Sequence, residues 1–208
     1  MTVIQWIGIL LLPFLAYLMG SIPFGLLVAR AAGRVDIRAN GSGNIGATNV
    51  RRTAGTLPAV VTLVGDIGKG FLPVWWAGIL ISSGSAPLAQ VFVALVGLCA
   101  FAGHLYPVFL KGRAGGKGVA TAAGCLLAVS PAALGVSGLV FVMTACGLNR
   151  VSAASLAATG TMPLAVWHAT GSRVFTLWAG LLTVLVWVRH RDNIRRLVEG
   201  REPLIWKD

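Results

Sequence analysis

Long apolar runs are the feature that most limits what this chain can fold into. They occupy residues 3–29, 88–110, 118–147, 151–170 and 172–188. Each is close to or above the length of about 20 helical residues that crosses the hydrocarbon core of a bilayer. Because a backbone in lipid must satisfy its own hydrogen bonds, these runs predict helices. With 56% hydrophobic and 11% charged residues, the chain also has too few polar side chains to cover a soluble globule of 208 residues.

The net charge of +11 comes from 17 Lys and Arg residues that follow or separate the apolar runs. In a soluble protein this charge would suggest a nucleic-acid ligand. Between hydrophobic spans it is better explained as a positive-inside signal, so we expect no nucleic-acid partner and a cytoplasmic position for every cluster. The clusters are Arg30, Arg34, Arg38, Arg51 and Arg52; Lys111, Arg113 and Lys117; Arg150; and Arg189, Arg191, Arg195, Arg196, Arg201 and Lys207.

Keeping these clusters on one side determines the expected path of the chain. The first run enters from outside, residues 57–82 leave again, and residues 88–110 return. The run at 118–147 begins and ends beside cytoplasmic charges, so it must break, and Ser130-Pro131 is the natural place. With the last two runs, this predicts a polytopic transmembrane bundle of about seven helices, some short or broken. The N-terminus is expected outside and the C-terminus in the cytoplasm. No internal repeat or linker is visible, so residues 1–208 are predicted to form a single domain.

Several familiar catalytic patterns are missing from the sequence. Cys99, Cys125 and Cys146 lie in apolar segments at spacings that fit no metal template, so we interpret them as small buried hydrophobes. There is no Gly-x-Ser-x-Gly elbow, no His-x4-Asp acyltransferase signature and no cofactor fingerprint. We therefore expect no metal, no cofactor and an already activated substrate.

A polar, glycine-rich stretch at residues 40–49 is the strongest candidate for chemistry. It has the sequence Asn-Gly-Ser-Gly-Asn-Ile-Gly-Ala-Thr-Asn, and Arg51 and Arg52 follow it. Ala47 stands where the lysine of a nucleotide-binding P-loop would be, so a P-loop is not supported. A helix that starts near Gly46 would still offer backbone N–H groups and its positive end to a phosphate. An ordinary flexible turn is the alternative.

A second glycine-rich stretch, at residues 112–121, places Lys117 between glycines at a predicted helix start. Phosphate contact is the interpretation we favour over a simple positive-inside signal, because the flanking glycines cost local stability that a mere charge would not require.

Further polar residues lie in or beside the apolar runs, and each has a functional and a structural interpretation. Asp66 and Lys69, three residues apart on one helix face, are either functional groups or an ion pair that pins a broken helix. Ser152 is interpreted as a helix cap. His190 and Asn193 share a face near the cytoplasmic surface, where His190 is a candidate substrate ligand or proton acceptor rather than a plain surface histidine.

Taken together, six blocks in order resemble the acyl-phosphate-dependent glycerol-3-phosphate acyltransferases of bacteria, the PlsY family. The blocks are Gly20-Ser21-Ile22-Pro23-Phe24-Gly25, Gly41-Ser42-Gly43-Asn44-Ile45-Gly46-Ala47-Thr48-Asn49, Asp66-x-x-Lys69-Gly70, Gly103-His104-x-x-Pro107-Val108, Gly115-Gly116-Lys117-Gly118-Val119-Ala120-Thr121, and Arg189-His190-x-x-Asn193-Ile194-x-Arg196-Leu197. They span nearly the whole chain. One departure is Arg113-Ala114, where many relatives have an aromatic residue before the paired glycines.

The resemblance implies an integral enzyme of the bacterial inner membrane whose active site faces the cytoplasm. Its reaction would move a fatty acyl group from acyl phosphate to the 1-hydroxyl of sn-glycerol 3-phosphate, giving lysophosphatidic acid and phosphate. Its partners would be these two substrates and membrane lipid, with functional coupling to the enzyme that makes acyl phosphate. A small transporter of phosphorylated metabolites is the rival hypothesis, since broken helices also build transport sites.

Within this resemblance we assign roles as hypotheses. The acyl-phosphate head group is held by the backbone N–H groups of residues 43–48, which include Gly43, Asn44 and Gly46, together with Ser42, Thr48, Asn49 and Lys117. Glycerol 3-phosphate is bound by Arg52, Ser155, His190 and Asn193. Ser42, Lys117 and His190 are the catalytic candidates, and a substrate phosphate oxygen or His190 acts as base. Asp66, Lys69 and His104 are left as structural or uncertain.

Overall fold

The computed structural model describes residues 3–33, 36–81, 87–111 and 115–206, and side chains from residue 6 onward. The regular structure in these ranges is helical, which confirms the predicted all-α class. The helices are α1 Val3–Gly20, α2 Phe24–Ala31, α3 Ala47–Ala54, α4 Thr56–Ile81, α5 Pro87–Leu105, α6 Val119–Val129, α7 Pro131–Leu148, α8 Val151–Thr170, α9 Arg173–Arg189 and α10 Arg191–Val198, with a single 3-10 turn at Val108–Leu110.

Among the described residues, three helices have the length and apolar composition needed to cross a bilayer. They are α4, α5 together with the turn that follows it, and α7. A fourth crossing is formed if α1 and α2, bent by 43° at the break between them, count as one broken span. The number of seven crossings and the orientation of the termini stay predictions.

Proline sets two breaks in the helical path. Pro131 opens α7, and the Ser130 hydroxyl caps that helix by accepting a hydrogen bond from the N–H of Ala133 at 3.2 Å. This confirms the break predicted there. The first apolar run, which we took as one crossing, is also broken, because Pro23 has no N–H to give to the backbone ladder and its ring blocks a continuous helix.

The chain packs as two compact units, Met1–Ala128 and Val129–Asp208. In the first unit α1 packs on α4 and α5, while α4 also contacts α2 and α3. In the second unit α8 lies against both α7 and α9, and α10 contacts α8 and α9. The prediction of one domain stays a prediction.

Glycine permits backbone contact between α4 and α6. A Cβ on Gly70 would stand 2.2 Å from the carbonyl oxygen of Thr121, and a Cβ on Gly124 would stand 2.0 Å from that of Ile67. Neither contact tolerates a side chain, so the two helices meet at their glycines.

Large apolar side chains point away from the protein on most of the long helices. Leu10 is 76% exposed, Leu57 75%, Leu88 83% and Leu177 75%. This pattern suits a protein whose surrounding medium is lipid, because lipid removes the need to bury such residues.

Candidate functional site

The segment between α2 and α3 forms the first candidate site, and we call residues 36–46 the glycine loop. Asn49, 1% exposed, organises this loop from within α3. Its Oδ1 accepts a hydrogen bond from the N–H of Ser42 at 2.8 Å, and its Nδ2 donates to the carbonyls of Ile37 at 2.8 Å and Asn40 at 3.2 Å. Both protons of the Asn49 amide are therefore committed to the loop.

Two glycines of the loop have the left-handed backbone conformation that other residues rarely adopt. Gly41 has φ +63° and Gly43 has φ +67°. At Gly41 a side chain is also excluded by contact, since a Cβ would lie 2.2 Å from Oδ1 of Asn49. The tight loop thus depends on glycine and on the buried asparagine together.

The start of α3 provides backbone donors beside this loop. The helix begins at Ala47 with Gly46 as its N-cap, as predicted, and the Gly46 N–H donates to Oδ1 of Asn44 at 2.8 Å. The N–H groups of Ala47 and Thr48 lie in the first turn, so the helix supplies them no acceptor. The exposed side chains of Ser42 and Thr48 add two hydroxyls. Such a set of donors at the positive end of a helix is suited to an anion.

An open pocket of about 630 Å³ lies next to the glycine loop. Its lining consists of Asp36, Ile37, Ala39, Asn40, Gly41, Arg52 and Thr53. Arg52, a predicted ligand, therefore borders a cavity large enough for a small phosphorylated molecule. Asp36, which has no predicted role, accepts a hydrogen bond on Oδ1 from the Arg38 N–H at 2.8 Å.

The second glycine-rich stretch docks on the end of α5. The N–H of Gly115 donates to the Leu105 carbonyl at 2.9 Å, and the N–H of Gly116 donates to the His104 carbonyl at 3.2 Å. A Cβ on Gly116 would lie 2.1 Å from Nε2 of His104. Lys117 follows, half-buried and two residues before α6 begins. The two hydrogen bonds hold the backbone beside Lys117 in one place.

Gly118 completes this segment with φ +89°. A Cβ there would also stand 2.3 Å from the ring of Phe101. Phe101, fully buried in α5, is a packing partner of the loop that sequence reasoning missed, because its side chain looks like any other apolar residue of a span.

Asp66, Lys69 and His104 form a buried cluster in the first unit. Nζ of Lys69 lies 2.8 Å from Oδ1 of Asp66 and donates a hydrogen bond to the carbonyl of Ile22 at 2.9 Å. Nδ1 of His104 lies 3.7 Å from the same Asp66 oxygen. Ile22 sits at the break between α1 and α2, and its carbonyl also accepts a hydrogen bond from the Phe24 N–H at 3.1 Å. These contacts favour the structural alternative, in which the ion pair holds a broken helix.

In the second unit, His190 stands at the joint between α9 and α10. Its Nδ1 lies 2.8 Å from the carbonyl oxygen of Val186. A carbonyl only accepts hydrogen bonds, so the proton is on Nδ1 and in the neutral ring Nε2 carries the lone pair. This tautomer suits the predicted role of His190 as an acceptor for a hydroxyl proton.

Asn193 and Arg196 of α10 both bind Glu202, a residue with no predicted role. Oε1 of Glu202 accepts from Nδ2 of Asn193 at 2.6 Å, and Oε2 accepts from Nε of Arg196 at 2.7 Å. Burial opposes ionisation of this carboxyl, but the hydrogen bonds from Arg196 and Asn193 outweigh it and hold the pKa of Glu202 below its ordinary value. The available signal in the sequence was an acidic residue within a basic tail, in a chain with only six acidic residues.

The serines at the start of α8 have different surroundings from those predicted. The N-cap of α8 is Arg150, without a side-chain cap, so the interpretation of Ser152 as a helix cap is wrong: Ser152 lies inside the first turn. Ser155 is 3% exposed, and its hydroxyl donates to the Val151 carbonyl at 2.9 Å. With its proton used in the helix, Ser155 can act toward a ligand as an acceptor.

Some predicted positions fall outside the described residues, namely Arg34, Arg113, Lys207 and the Arg113-Ala114 departure. The described residues contain no group of three or more His, Cys, Asp or Glu side chains that could hold a metal ion. The structure thus brings together the glycine-loop residues with Thr48 and Asn49, groups Asp66, Lys69 and His104 beside Gly116, and joins Asn193 to Glu202.

Comparison with known proteins agrees with the family resemblance of the six sequence blocks. Residues 10–200 match the family described as glycerol-3-phosphate acyltransferase. A glycerol-3-phosphate acyltransferase of Geobacter sulfurreducens is 47% identical over 193 residues, which cover 93% of this chain and 95% of the relative.

Two solved structures are also similar. The crystal structure of PlsY (YgiH), an integral membrane glycerol 3-phosphate acyltransferase, in its glycerol 3-phosphate form has a TM-score of 0.88 and 40% identity, with 95% of both chains covered. The lysophosphatidic acid form of that protein has a TM-score of 0.86 and 39% identity over the same share of both chains.

Proposed function

This chain belongs to the glycerol-3-phosphate acyltransferase family, and on that premise we propose that it acylates the 1-hydroxyl of sn-glycerol 3-phosphate with acyl phosphate as the donor. The products are lysophosphatidic acid and inorganic phosphate. The donor assignment follows from the resemblance to the acyl-phosphate-dependent acyltransferases, and the observation that supports a phosphate ligand is the glycine loop at the start of α3. Its backbone donors suit the phosphate that an acyl phosphate presents and releases.

The acyl-phosphate head group is assigned to Ser42, Thr48, Lys117 and the backbone of residues 43–48. Within that backbone the N–H groups of Gly43 and Gly46 are already donated to the Asn40 carbonyl and to Oδ1 of Asn44, so the donors for the phosphate are those of the other residues. Asn49 takes a positioning role instead of direct contact, because its amide is committed to the loop. Lys117 supplies positive charge to the phosphate as the acyl group leaves it. Asn44 acts in the same manner as Asn49, by receiving the Gly46 N–H on its side chain.

Glycerol 3-phosphate is assigned to Arg52, Ser155, His190 and Asn193. Arg52 is the cation for its phosphate, and the remaining three side chains offer polar groups to its hydroxyls. In the reaction the hydroxyl oxygen bonds to the acyl carbon, the bond from that carbon to the phosphate oxygen breaks, and the hydroxyl proton passes to Nε2 of His190 or to the departing phosphate. An acyl phosphate is already activated, so positioning and charge stabilisation are enough without a covalent enzyme intermediate.

The proposed setting is the bacterial inner membrane with both glycine-rich loops on the cytoplasmic side. Water-soluble glycerol 3-phosphate is then bound from the cytoplasm, while the acyl chain lies along apolar helix faces open to lipid. Functional coupling to the enzyme that makes acyl phosphate is part of this proposal, since the donor is hydrolysed readily in water. No described feature favours the transporter alternative over the activity of the family.

A donor comparison tests the proposal. Purified protein in lipid nanodiscs receives labelled glycerol 3-phosphate with acyl phosphate, acyl-coenzyme A or acyl carrier protein in parallel reactions. We expect lysophosphatidic acid from acyl phosphate alone, and a loss of kcat/KM of about 100-fold or more in Ser42→Ala and Lys117→Ala. Product from acyl-coenzyme A but not from acyl phosphate would overturn the donor assignment. Wild-type efficiency in both variants would overturn the head-group site.

A further inference from the structure

The chain after α10 folds back onto the connection between α7 and α8. Asn149, the C-cap of α7, has the left-handed φ of +52° and aims its side chain at the tail. Its Oδ1 accepts from the N–H of Ile205 at 3.1 Å and from the N–H of Trp206 at 2.9 Å, while its Nδ2 donates to the Trp206 carbonyl at 3.0 Å. The Asn149 carbonyl accepts from the Ile205 N–H as well, at 2.9 Å. We call this set of four contacts the Asn149 clasp.

Backbone atoms make every tail contact in the clasp. The side chains nearby add little packing, because Pro203 and Leu204 are exposed and Trp206 is 50% exposed. Glu202 is the one buried side chain between residues 199 and 206. Hydrogen bonds rather than apolar packing therefore hold this part of the tail, and Asn149 supplies most of them.

Glu202 lies between the clasp and α10. Its carbonyl accepts from Nε of Arg150 at 3.1 Å, and its N–H donates to the Arg196 carbonyl at 3.1 Å. The tail is thus held on both sides of Glu202, by α10 before it and by the clasp after it. Release of the clasp frees one of these two ends.

The Glu202 carboxylate in turn determines how Asn193 is oriented. An ionised carboxylate only accepts hydrogen bonds, so the amide nitrogen of Asn193 must face it, at 2.6 Å. Oδ1 of Asn193 then points away from Glu202 as a hydrogen-bond acceptor. A polyol hydroxyl is the kind of group that donates to such an acceptor.

We propose that Asn149 is a positioning residue for the acyl acceptor: it clasps the tail at Ile205 and Trp206, and so keeps Glu202 where it orients Asn193. The inference rests on the proposed function in one respect, that Asn193 contacts glycerol 3-phosphate. The clasp uses only backbone atoms of residues 205 and 206, so it requires that both residues be present but does not depend on their side chains.

Two matched changes test the clasp in the full membrane protein. Asn149→Gly removes the side chain and suits the left-handed backbone, so the helix end is preserved. A chain ending at Leu204 lacks both clasp donors, and a chain ending at Trp206 keeps them. We expect Asn149→Gly and the chain ending at Leu204 to raise the KM for glycerol 3-phosphate about tenfold, with kcat and the donor KM within about twofold of wild type. The chain ending at Trp206 is expected to match wild type.

Conservative variants separate positioning from a general loss of structure. Asn149→Asp keeps the Oδ1 acceptor for both N–H groups but places a carboxylate oxygen against the Trp206 carbonyl in place of the Nδ2 donor, so we expect an acceptor KM between those of wild type and Asn149→Gly. Trp206→Ala keeps the backbone contacts and is expected to behave as wild type. An acceptor KM that is unchanged in Asn149→Gly, or equally raised in the chains ending at Leu204 and Trp206, overturns the clasp. If Asn149→Gly and Asn149→Asp both lower kcat and raise the KM values of both substrates to the same extent, the role of Asn149 is structural only, and the clasp is overturned as well.

Asn193→Ala distinguishes a failure of this inference from a failure of the proposed function. If it raises the acceptor KM while Asn149→Gly does not, the clasp is wrong and the acceptor site stands. If Asn193→Ala leaves the acceptor KM unchanged, the assignment of Asn193 to glycerol 3-phosphate is wrong, and the positioning role of Asn149 falls with it.

Discussion

At the scale of single residues, the contact between Gly116 and His104 leaves no room for a side chain. A Cβ on Gly116 would lie 2.1 Å from Nε2 of His104, whereas one on Gly138 in α7 would meet nothing within 4 Å. We predict that Gly116→Ala displaces the backbone beside Lys117 and lowers kcat/KM by about 100-fold. The matched change Gly138→Ala is expected to keep full activity and to gain up to about 1 kcal/mol of stability, because alanine is the better helix former. Steady-state kinetics and thermal unfolding measure both, and equal activities would contradict the prediction.

Glu202 gives the second residue-scale prediction, a dependence of stability on pH. Burial works against ionisation, but the partners Arg196 and Asn193 bring the pKa below the ordinary value of 4.5. A carboxyl whose pKa is lower in the folded than in the unfolded state stabilises the fold at pH values above its unfolded pKa. That contribution is lost as the pH falls through the folded pKa.

The measurement is thermal unfolding in detergent from pH 7 down to about pH 3.5, across the range in which a glutamate titrates. We predict that Glu202→Gln has a lower Tm than wild type at pH 7 and that the two values converge toward the acid end. Glu199→Gln serves as the control, since its ion pairs with Arg195 and Arg201 involve exposed guanidinium groups and are expected to contribute little. A constant gap between Glu202→Gln and wild type would count against the prediction.

At the scale of helices, one ion pair supports the break between α1 and α2. Lys69 of α4 is bound both to Asp66 and to the Ile22 carbonyl, at 2.8 Å and 2.9 Å. Removing one charge leaves the other buried without its partner, which typically costs about 3–5 kcal/mol. We therefore predict a much larger loss of stability in Asp66→Leu than in the double variant Asp66→Leu with Lys69→Met. Unfolding free energies in detergent give the comparison, and a double variant no more stable than the single would show that charge pairing is not the cause.

The helix breaks show how far local sequence predicts an element. The break at Ser130-Pro131 followed from a proline between two stretches that needed to reverse. The break at Ser21-Ile22-Pro23 was not predicted, although it also contains a proline, because no charge pattern required the first run to stop. What supports that break is Lys69, 47 residues further along the chain.

At the scale of the whole molecule, the prediction concerns the membrane. The long apolar helices and the exposed leucines predict a protein that stays with membranes after an alkaline carbonate wash.

Positive-inside topology further predicts that a reporter fused at the C-terminus is active in the cytoplasm and that one inserted between α4 and α5 is active outside it. Reporter activity on the opposite sides would reverse the proposed orientation of both loops.

The all-α class, the membrane setting and the position of the two glycine-rich loops ahead of helix starts were accessible from the sequence, because each depends on residues that are close together in the chain. A long apolar run predicts a helix that is surrounded by lipid rather than by water. Closely spaced glycines followed by a helix start predict an anion site. The start of α3 at Ala47 and the position of Lys117 before α6 agree with that reasoning.

Tertiary structure alone decided which polar groups act on each other. It assigned Asn49 to the interior of its loop, joined Glu202 to Asn193 and set Asn149 against Trp206, 57 residues away. An asparagine has the same donors and acceptors in every sequence, so the residue type alone does not predict whether it binds a substrate or the protein's own backbone. That choice depends on which distant segments the packing of the helices brings within hydrogen-bonding distance.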